Sequence, residues 1–116
     1  IGGTGIMVSN HGGRQLDGSR APFDQVAEIV DAVGDKIDGI CEGGIQRGTH
    51  ILKALSIGAK ACSGGRLYLY ALAAAGQAGV ERALTQYRAE LERDMKLMGC
   101  TKISELSRNN LRFRKN

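Results

Sequence analysis

Apolar residues along the chain recur in two alternating rhythms. Gly5-Ile6-Met7-Val8-Ser9 is a short apolar run giving way to a polar, glycine-rich stretch that reaches Gly18, the pattern of a buried parallel strand feeding a loop. Phe23, Val26, Ala27, Val30 and Val33 then fall at helical spacing, with Pro22 suited to the first turn and Gly34 to the stop. The succession returns: residues 37–41 predict a second strand and residues 42–48 a loop. Thr49 can cap a helix carrying Ile51, Leu52, Leu55 and Ile57 that ends at Gly58. Residues 60–63 predict a third, short strand running into Gly64 and Gly65. An apolar helix over 67–75 follows, then a break at Gly76. A longer helix carries Val80, Leu84, Tyr87, Leu91, Met95 and Met98 on one stripe and stops at Gly99.

Strand, loop and helix thus repeat three times, each strand followed by a glycine-containing loop, which argues an α/β fold with a parallel sheet. A doubly wound sheet and a closed barrel both fit this alternation. Parallel strands need cover on both faces, so three alone would leave open edges and bare apolar surface. A (β/α)8 barrel, the TIM barrel, takes eight such units and about 250 residues. The chain of 116 residues would supply about three of the eight, plus C-terminal helices, as one partial domain over residues 1–116.

Composition narrows the function classes. With 42% hydrophobic and 24% charged residues the chain reads as an ordinary globular protein. Its net charge of +4 owes much to Arg108, Arg112, Arg114 and Lys115, a basic tail that reads as solvated. Aromatics make up 4% and do not interleave with the basic residues, so no nucleic-acid platform is expected. Cys41, Cys62 and Cys100 form neither an even set nor a C-x-x-C pair, which predicts reduced thiols, a cytoplasmic location and no metal site. No stretch has the length of a membrane span or the pattern of a signal peptide. The chain opens in mid-pattern on Ile1 rather than on Met, so further sequence is expected upstream.

The first loop carries the chemistry. It reads Ser9-Asn10-His11-Gly12-Gly13-Arg14-Gln15-Leu16-Asp17, and in parallel α/β folds the site lies at the carboxyl ends of the strands. Histidine is the side-chain type best suited to proton abstraction near neutrality, and Asp17 could hold its imidazolium if the loop folds back. Arginine offers a planar fork for a carboxylate, and the glycines let the backbone approach a flat ligand. One base with one carboxylate clamp points to a small acid. The plainer alternative is a strand end with a hydrogen-bonded His and a solvent-facing Arg.

As a whole, the nine residues 9–17 resemble the active-site signature of the FMN-dependent α-hydroxy-acid dehydrogenases and oxidases, the family of glycolate oxidase and L-lactate dehydrogenase. Glu42-Gly43-Gly44-Ile45-Gln46-Arg47-Gly48-Thr49 resembles the family's flavin segment, and Leu52-Lys53-Ala54-Leu55 with Gly58-Ala59 continues the match. Gly65-Arg66, followed by residues 69–76, resembles its last phosphate-binding turn and the helix behind it. The resemblance implies that the three strands are the sixth, seventh and eighth of the barrel. It implies that His11 is the catalytic base and also contacts the substrate, that Arg14 binds the substrate carboxylate, and that Ser9 lies near the flavin. It further implies that Glu42, Gly43, Gly44, Ile45 and Gln46 line the ribityl and phosphate groups of FMN while Gly65 and Arg66 hold the phosphate. The implied reaction oxidises a small L-2-hydroxy acid to the 2-oxo acid, in an enzyme whose full-length form is a homo-oligomer.

Three departures from the family pattern matter. Glu42 stands for an aspartate and Gln46 for an arginine that reaches the phosphate, with Arg47 a candidate to compensate. Cys41 and Cys62 stand in strands that are usually valine-rich and read as core thiols. His50 reads as an exposed helical residue. Tyr68 and Tyr70 read as packing residues, and Glu81, Arg82, Arg88, Glu90, Glu92, Arg93, Asp94 and Lys96 read as a solvated face. Met95 and Met98 are expected to meet a partner subunit. The family's upstream lysine, tyrosines and second substrate arginine have no counterpart in the chain. The competing reading is a non-catalytic remnant or assembly module of the same fold.

Overall fold

The computed structural model describes residues 2–113 and has the expected α/β order. β1 (Gly5–Val8), α1 (Pro22–Val33), β2 (Asp38–Glu42), α2 (Gly48–Ile57), β3 (Ala61–Ser63) and α3 (Arg66–Leu97) follow one another, with single 3-10 turns at His11–Gly13, Ile103–Glu105 and Arg108–Asn110. The three strands form one parallel sheet in the order β1-β2-β3. Val8 stands beside Cys41, and Cys41 beside Cys62. These are three successive βα units of the barrel class.

Local chemistry explains the helix boundaries. Pro22 occupies the first turn of α1, where its missing N–H costs nothing, and the Gly34 amide closes the helix on the Val30 carbonyl. α2 begins one residue earlier than its expected cap: Gly48 opens the helix, Arg47 flanks it, and the Thr49 hydroxyl bonds Asp94 of α3 instead of capping. α3 is broken at Ala75 and Gly76, the expected position.

The core lies between the sheet and α1 and α2. Val8, Val26, Cys41, Ile45, Ala54, Ile57 and Ala59 are buried there, with Phe23, Val30, Cys62, Tyr87 and Leu111 packed around them. A second cluster joins α2 to the end of α3 through Leu52, Met95, Cys100 and Leu106, flanked by Met98. The methionine stripe expected to meet a partner is therefore spent within the chain. Cys41 and Cys62 are core thiols as expected, and Cys62 is pushed up to about 12 by burial beside Cys41.

Part of the basic tail is docked on the fold rather than free in solvent. Arg108 pairs with Asp31 at 2.6 Å and donates to the carbonyls of Ile57 (3.2 Å) and Ala27 (3.3 Å), tying the tail to α1 and α2. Arg114 and Lys115 lie outside the described residues. Among those described, no helix is long and apolar enough to cross a membrane. The face of the sheet away from α1 and α2 carries no such cover: Met7 is 54% exposed, and Leu69, Tyr70 and Leu72 of α3 are more than half exposed. Tyr68 and Tyr70, read as packing residues, are 45% and 67% exposed on this face.

Candidate active site

All three strands end on one side of the sheet, and the loops leaving them meet around a cavity of about 530 Å3. Ser9, His11, Gly12 and Arg14 come from the first loop, Glu42, Gly43, Gly44, Ile45 and Gln46 from the second, Gly65 and Arg66 from the third. Every residue singled out from the sequence as substrate- or cofactor-facing therefore lines the same space. Met7, Ser63, Leu67, Tyr68 and Leu69 line it too and were not foreseen. The two-residue alternation of a strand, which sends Met7 opposite to buried Val8, could have found the first of them.

The first loop is held in an unusual conformation. His11, Gly12 and Gly13 have φ of 51°, 65° and 71°, and His11 is the only described non-glycine residue with positive φ. For a side-chain-bearing residue that region costs about 1–2 kcal/mol, so the surroundings must enforce it. They do so through hydrogen bonds. The His11 amide donates to Ser9 Oγ at 3.0 Å, and the Gly12 amide donates to Asn10 Oδ1 at 3.0 Å. Arg66 Nη2 donates to the Gly12 carbonyl at 2.6 Å. A Cβ on Gly12 would lie 2.2 Å from that guanidinium nitrogen, so the close approach of Arg66 requires glycine there.

The imidazole is oriented by Gln15, not by Asp17. His11 Nδ1 lies 2.9 Å from Gln15 Oε1. A carboxamide oxygen only accepts, so this contact places the proton on Nδ1 and leaves Nε2 as the basic nitrogen. Asp17 makes no hydrogen bond to the ring among the described residues, although its carboxylate lies 3.9 Å from where a Cβ on Gly13 would stand. Arg14 is exposed on the cavity wall and makes no ion pair among the described residues, which leaves its guanidinium fork open to an anion.

The second loop is braced from behind by α3. The Tyr87 hydroxyl donates to the Ile45 carbonyl. Glu90, only 4% exposed, accepts from Arg47 Nε at 2.9 Å and from the Gly48 amide at 2.8 Å. That guanidinium, and then the amide, hold the Glu90 carboxyl down at about 2. Glu90 and Asp94 thus leave the solvated face on which the sequence reading put them. Arg47 is committed to Glu90 and does not line the cavity, so it does not replace the cation lost at Gln46. His50 is half-buried rather than exposed: its Nδ1 lies 3.1 Å from the Gly44 carbonyl and 3.2 Å from the Gln46 amide, and it bonds one or the other according to its tautomer. Glu42, a methylene longer than the aspartate it replaces, accepts a hydrogen bond from the Ser9 hydroxyl of the neighbouring strand.

The donor set fits a phosphate-bearing cofactor such as FMN. Within the described residues the amides of Gly44, Ile45 and Gly65 make no backbone hydrogen bond, and they stand just past the ends of β2 and β3, beside Arg66 at the first turn of α3. Unpaired amides at a helix start with an adjacent guanidinium suit an anion. The Glu42 carboxylate suits hydroxyl groups. The volume is in the range of small-ligand sites, about 300–1,000 Å3.

Comparison with known proteins gives the family. The sequence model of the FMN-dependent dehydrogenase family matches residues 1–113. The chain is 47% identical over 111 residues to the L-lactate dehydrogenase (cytochrome) of Saccharomyces cerevisiae, covering 91% of this chain and 19% of that protein. It is 49% identical over 105 residues to the L-lactate oxidase of a Nostoc species, covering 90% and 29%. Among solved structures, a soluble mutant of the membrane-associated (S)-mandelate dehydrogenase from Pseudomonas putida superposes with a TM-score of 0.92 at 40% identity, over 97% of this chain and 32% of that one. The chain spans between a fifth and a third of the length of these relatives. It belongs to the FMN-dependent dehydrogenase family.

Proposed function

We propose that the chain supplies the catalytic end of an FMN-dependent enzyme that oxidises a small L-2-hydroxy acid, of the lactate or glycolate type, to the 2-oxo acid. The observation that carries this reading is the convergence of His11, Arg14 and both glycine turns on one cavity. Residues 1–116 are read as one partial domain of that enzyme.

Arg14 grips the substrate carboxylate through its planar fork and so fixes the carbinol carbon relative to His11. His11, protonated at Nδ1 through Gln15, takes the proton of the 2-hydroxyl at Nε2. Gly44, Ile45, Gln46 and Gly65 offer backbone and side-chain donors to the cofactor phosphate with Arg66, while Ser9, Glu42 and Gly43 face its ribityl side. FMN bound there would supply the acceptor for the two electrons and the hydrogen that leave C2. Lactate as the substrate type is supported by the two relatives named for it. The reading extends to a homo-oligomer in the full-length form, for which exposed Leu84 and Leu97 offer apolar surface. It also extends to a cytoplasmic location, supported by Cys41 and Cys62 standing in register as free thiols.

The test is anaerobic flavin reduction by L-lactate, glycolate and mandelate in the full-length enzyme and its His11→Ala variant. Loss of a general base slows reduction by about 10²–10⁴-fold while flavin remains bound. Unchanged reduction in the variant, or no reduction of the wild-type flavin by any 2-hydroxy acid, overturns the reading.

A further inference from the structure

We propose that Glu42, acting through Ser9, is a positioning residue that holds the His11 backbone in its left-handed conformation. The inference rests on the reading of His11 as the base, and it concerns how this chain keeps that base in place.

His11 is the one described residue with a side chain at positive φ, so its conformation needs an external restraint. The restraint on its amide is Ser9 Oγ, at 3.0 Å. A serine hydroxyl is a rotor, and it accepts well from that amide only when its proton points elsewhere. Glu42 takes this proton: the Ser9 hydroxyl donates to Glu42 Oε2. With the proton committed to a carboxylate, the oxygen lone pairs face the His11 amide, and the charge-assisted bond strengthens the hydroxyl as an acceptor. Carboxylate, hydroxyl and amide thus form one chain of hydrogen bonds from the end of β2 to the turn after β1.

Strand register makes this reach possible. Val8 pairs with Cys41, so Ser9 and Glu42 are the next neighbours across the β1–β2 pair, with side chains on the face opposite to the helices. The site keeps its other uses. Only Oε2 is taken by Ser9, while Oε1 faces Gly65, where an added Cβ would stand 3.5 Å away. A cofactor hydroxyl can therefore still meet the second oxygen.

The test uses the full-length, flavin-loaded enzyme with Ser9→Ala, Ser9→Thr, Glu42→Gln and the Ser9→Ala/Glu42→Gln double variant. Compared at saturating FMN, Ser9→Ala is expected to lose about tenfold in kcat per bound flavin, the scale of one hydrogen bond, with KM little changed. Ser9→Thr, which keeps the hydroxyl, regains most of that loss. Glu42→Gln, which can still accept from Ser9, falls between wild type and Ser9→Ala. The double variant is no slower than Ser9→Ala, because both changes break the same chain. A Ser9→Ala kcat within twofold of wild type, multiplicative losses in the double variant, or loss of flavin as the sole defect each overturn the proposal. Should wild type oxidise no 2-hydroxy acid, the functional reading fails separately. The positioning claim is then decided by hydrogen exchange at the His11 amide, which Ser9→Ala accelerates if the claim holds and leaves unchanged if it does not.

Discussion

Replacing Gly48 by alanine adds one methyl group where the start of α2 lies directly against the backbone of α3. Its Cβ would lie 2.5 Å from Glu90 Cβ, 2.5 Å from the Leu91 amide nitrogen and 2.8 Å from the Glu90 carbonyl carbon. Two of these atoms are α3 backbone, so no side chain can swing aside. Contacts between such atoms settle at about 3.5–4.0 Å, and the start of α2 must therefore back away from α3 by about 1 Å. Opposing this, alanine favours a helix over glycine by about 0.8–1 kcal/mol in an interior and by less in a first turn. Overpacking costs about 1–3 kcal/mol, and separation also stretches the 2.8 Å bond from the Gly48 amide to Glu90. The clash wins. We expect a net loss of about 1–2 kcal/mol, and since each kcal/mol lowers Tm by roughly 4–8 °C in a domain of this size, a drop of several degrees by far-UV circular dichroism. Gly3→Ala, which meets nothing within 4 Å, serves as the control. A Gly48→Ala chain that melts at or above wild type refutes the packing of α2 on α3 described above.

Three further outcomes are expected. Glu90 is held at about 2 in the folded chain against an ordinary 4.5. Its contribution to stability is therefore complete above pH 4.5 and is lost as pH falls from 4.5 towards 2, so urea midpoints measured across that window should fall less steeply in Glu90→Gln than in wild type. The Cys62 thiol at about 12 leaves about one thiolate in ten thousand at pH 8, so iodoacetamide should label it in denaturant but scarcely in the native state; equal rates would contradict its burial. This chain alone supplies three strands of cavity wall, so titration with FMN should give weak, non-stoichiometric binding, and a tight one-to-one complex would show that the missing walls are dispensable.

The features legible in the sequence were those set by local rules. Alternating periodicity placed the three strands, α1 and α2, and read α3 as two helices divided at Gly76, and Pro22, Gly34, Gly58 and Gly76 marked boundaries or breaks that the structure keeps. The grouping of the site was legible for the same reason: loops leaving parallel strands must emerge on one side, so residues 9–14, 42–46 and 65–66 converge. Partnership across the fold was not legible. Gln15 rather than Asp17 meets the imidazole because the turn at His11–Gly13 curls through three left-handed residues, a path that residue types alone do not dictate.

The long helix shows most clearly where pattern reading stops. Its charged positions fit a solvated face, yet Tyr87, Glu90 and Asp94 stand at i, i+3 and i+7, one row along the helix. That row bonds the Ile45 carbonyl, the Gly48 amide and the Thr49 hydroxyl in turn. A polar row beside the apolar stripe Leu91, Met95 and Met98 looks like any amphipathic boundary until its neighbour is known, because a carboxylate costs little in water and is equally content at a helix start that offers an amide and a guanidinium. The consequence reaches the site. Residues 45–49 are fixed from behind by α3, and Arg47 is drawn to Glu90 and away from the cavity. The substitution at Gln46 is therefore not made good by its neighbour, and the cations on the cavity wall are Arg14 in the first loop and Arg66 in the third. If Arg14 serves the substrate as proposed, Arg66 is the one guanidinium among the described residues beside the amides proposed for the phosphate. It also donates to the Gly12 carbonyl, so on the proposed roles the side chain that would meet the cofactor phosphate shares with Ser9 and Asn10 in bracing the His11 turn.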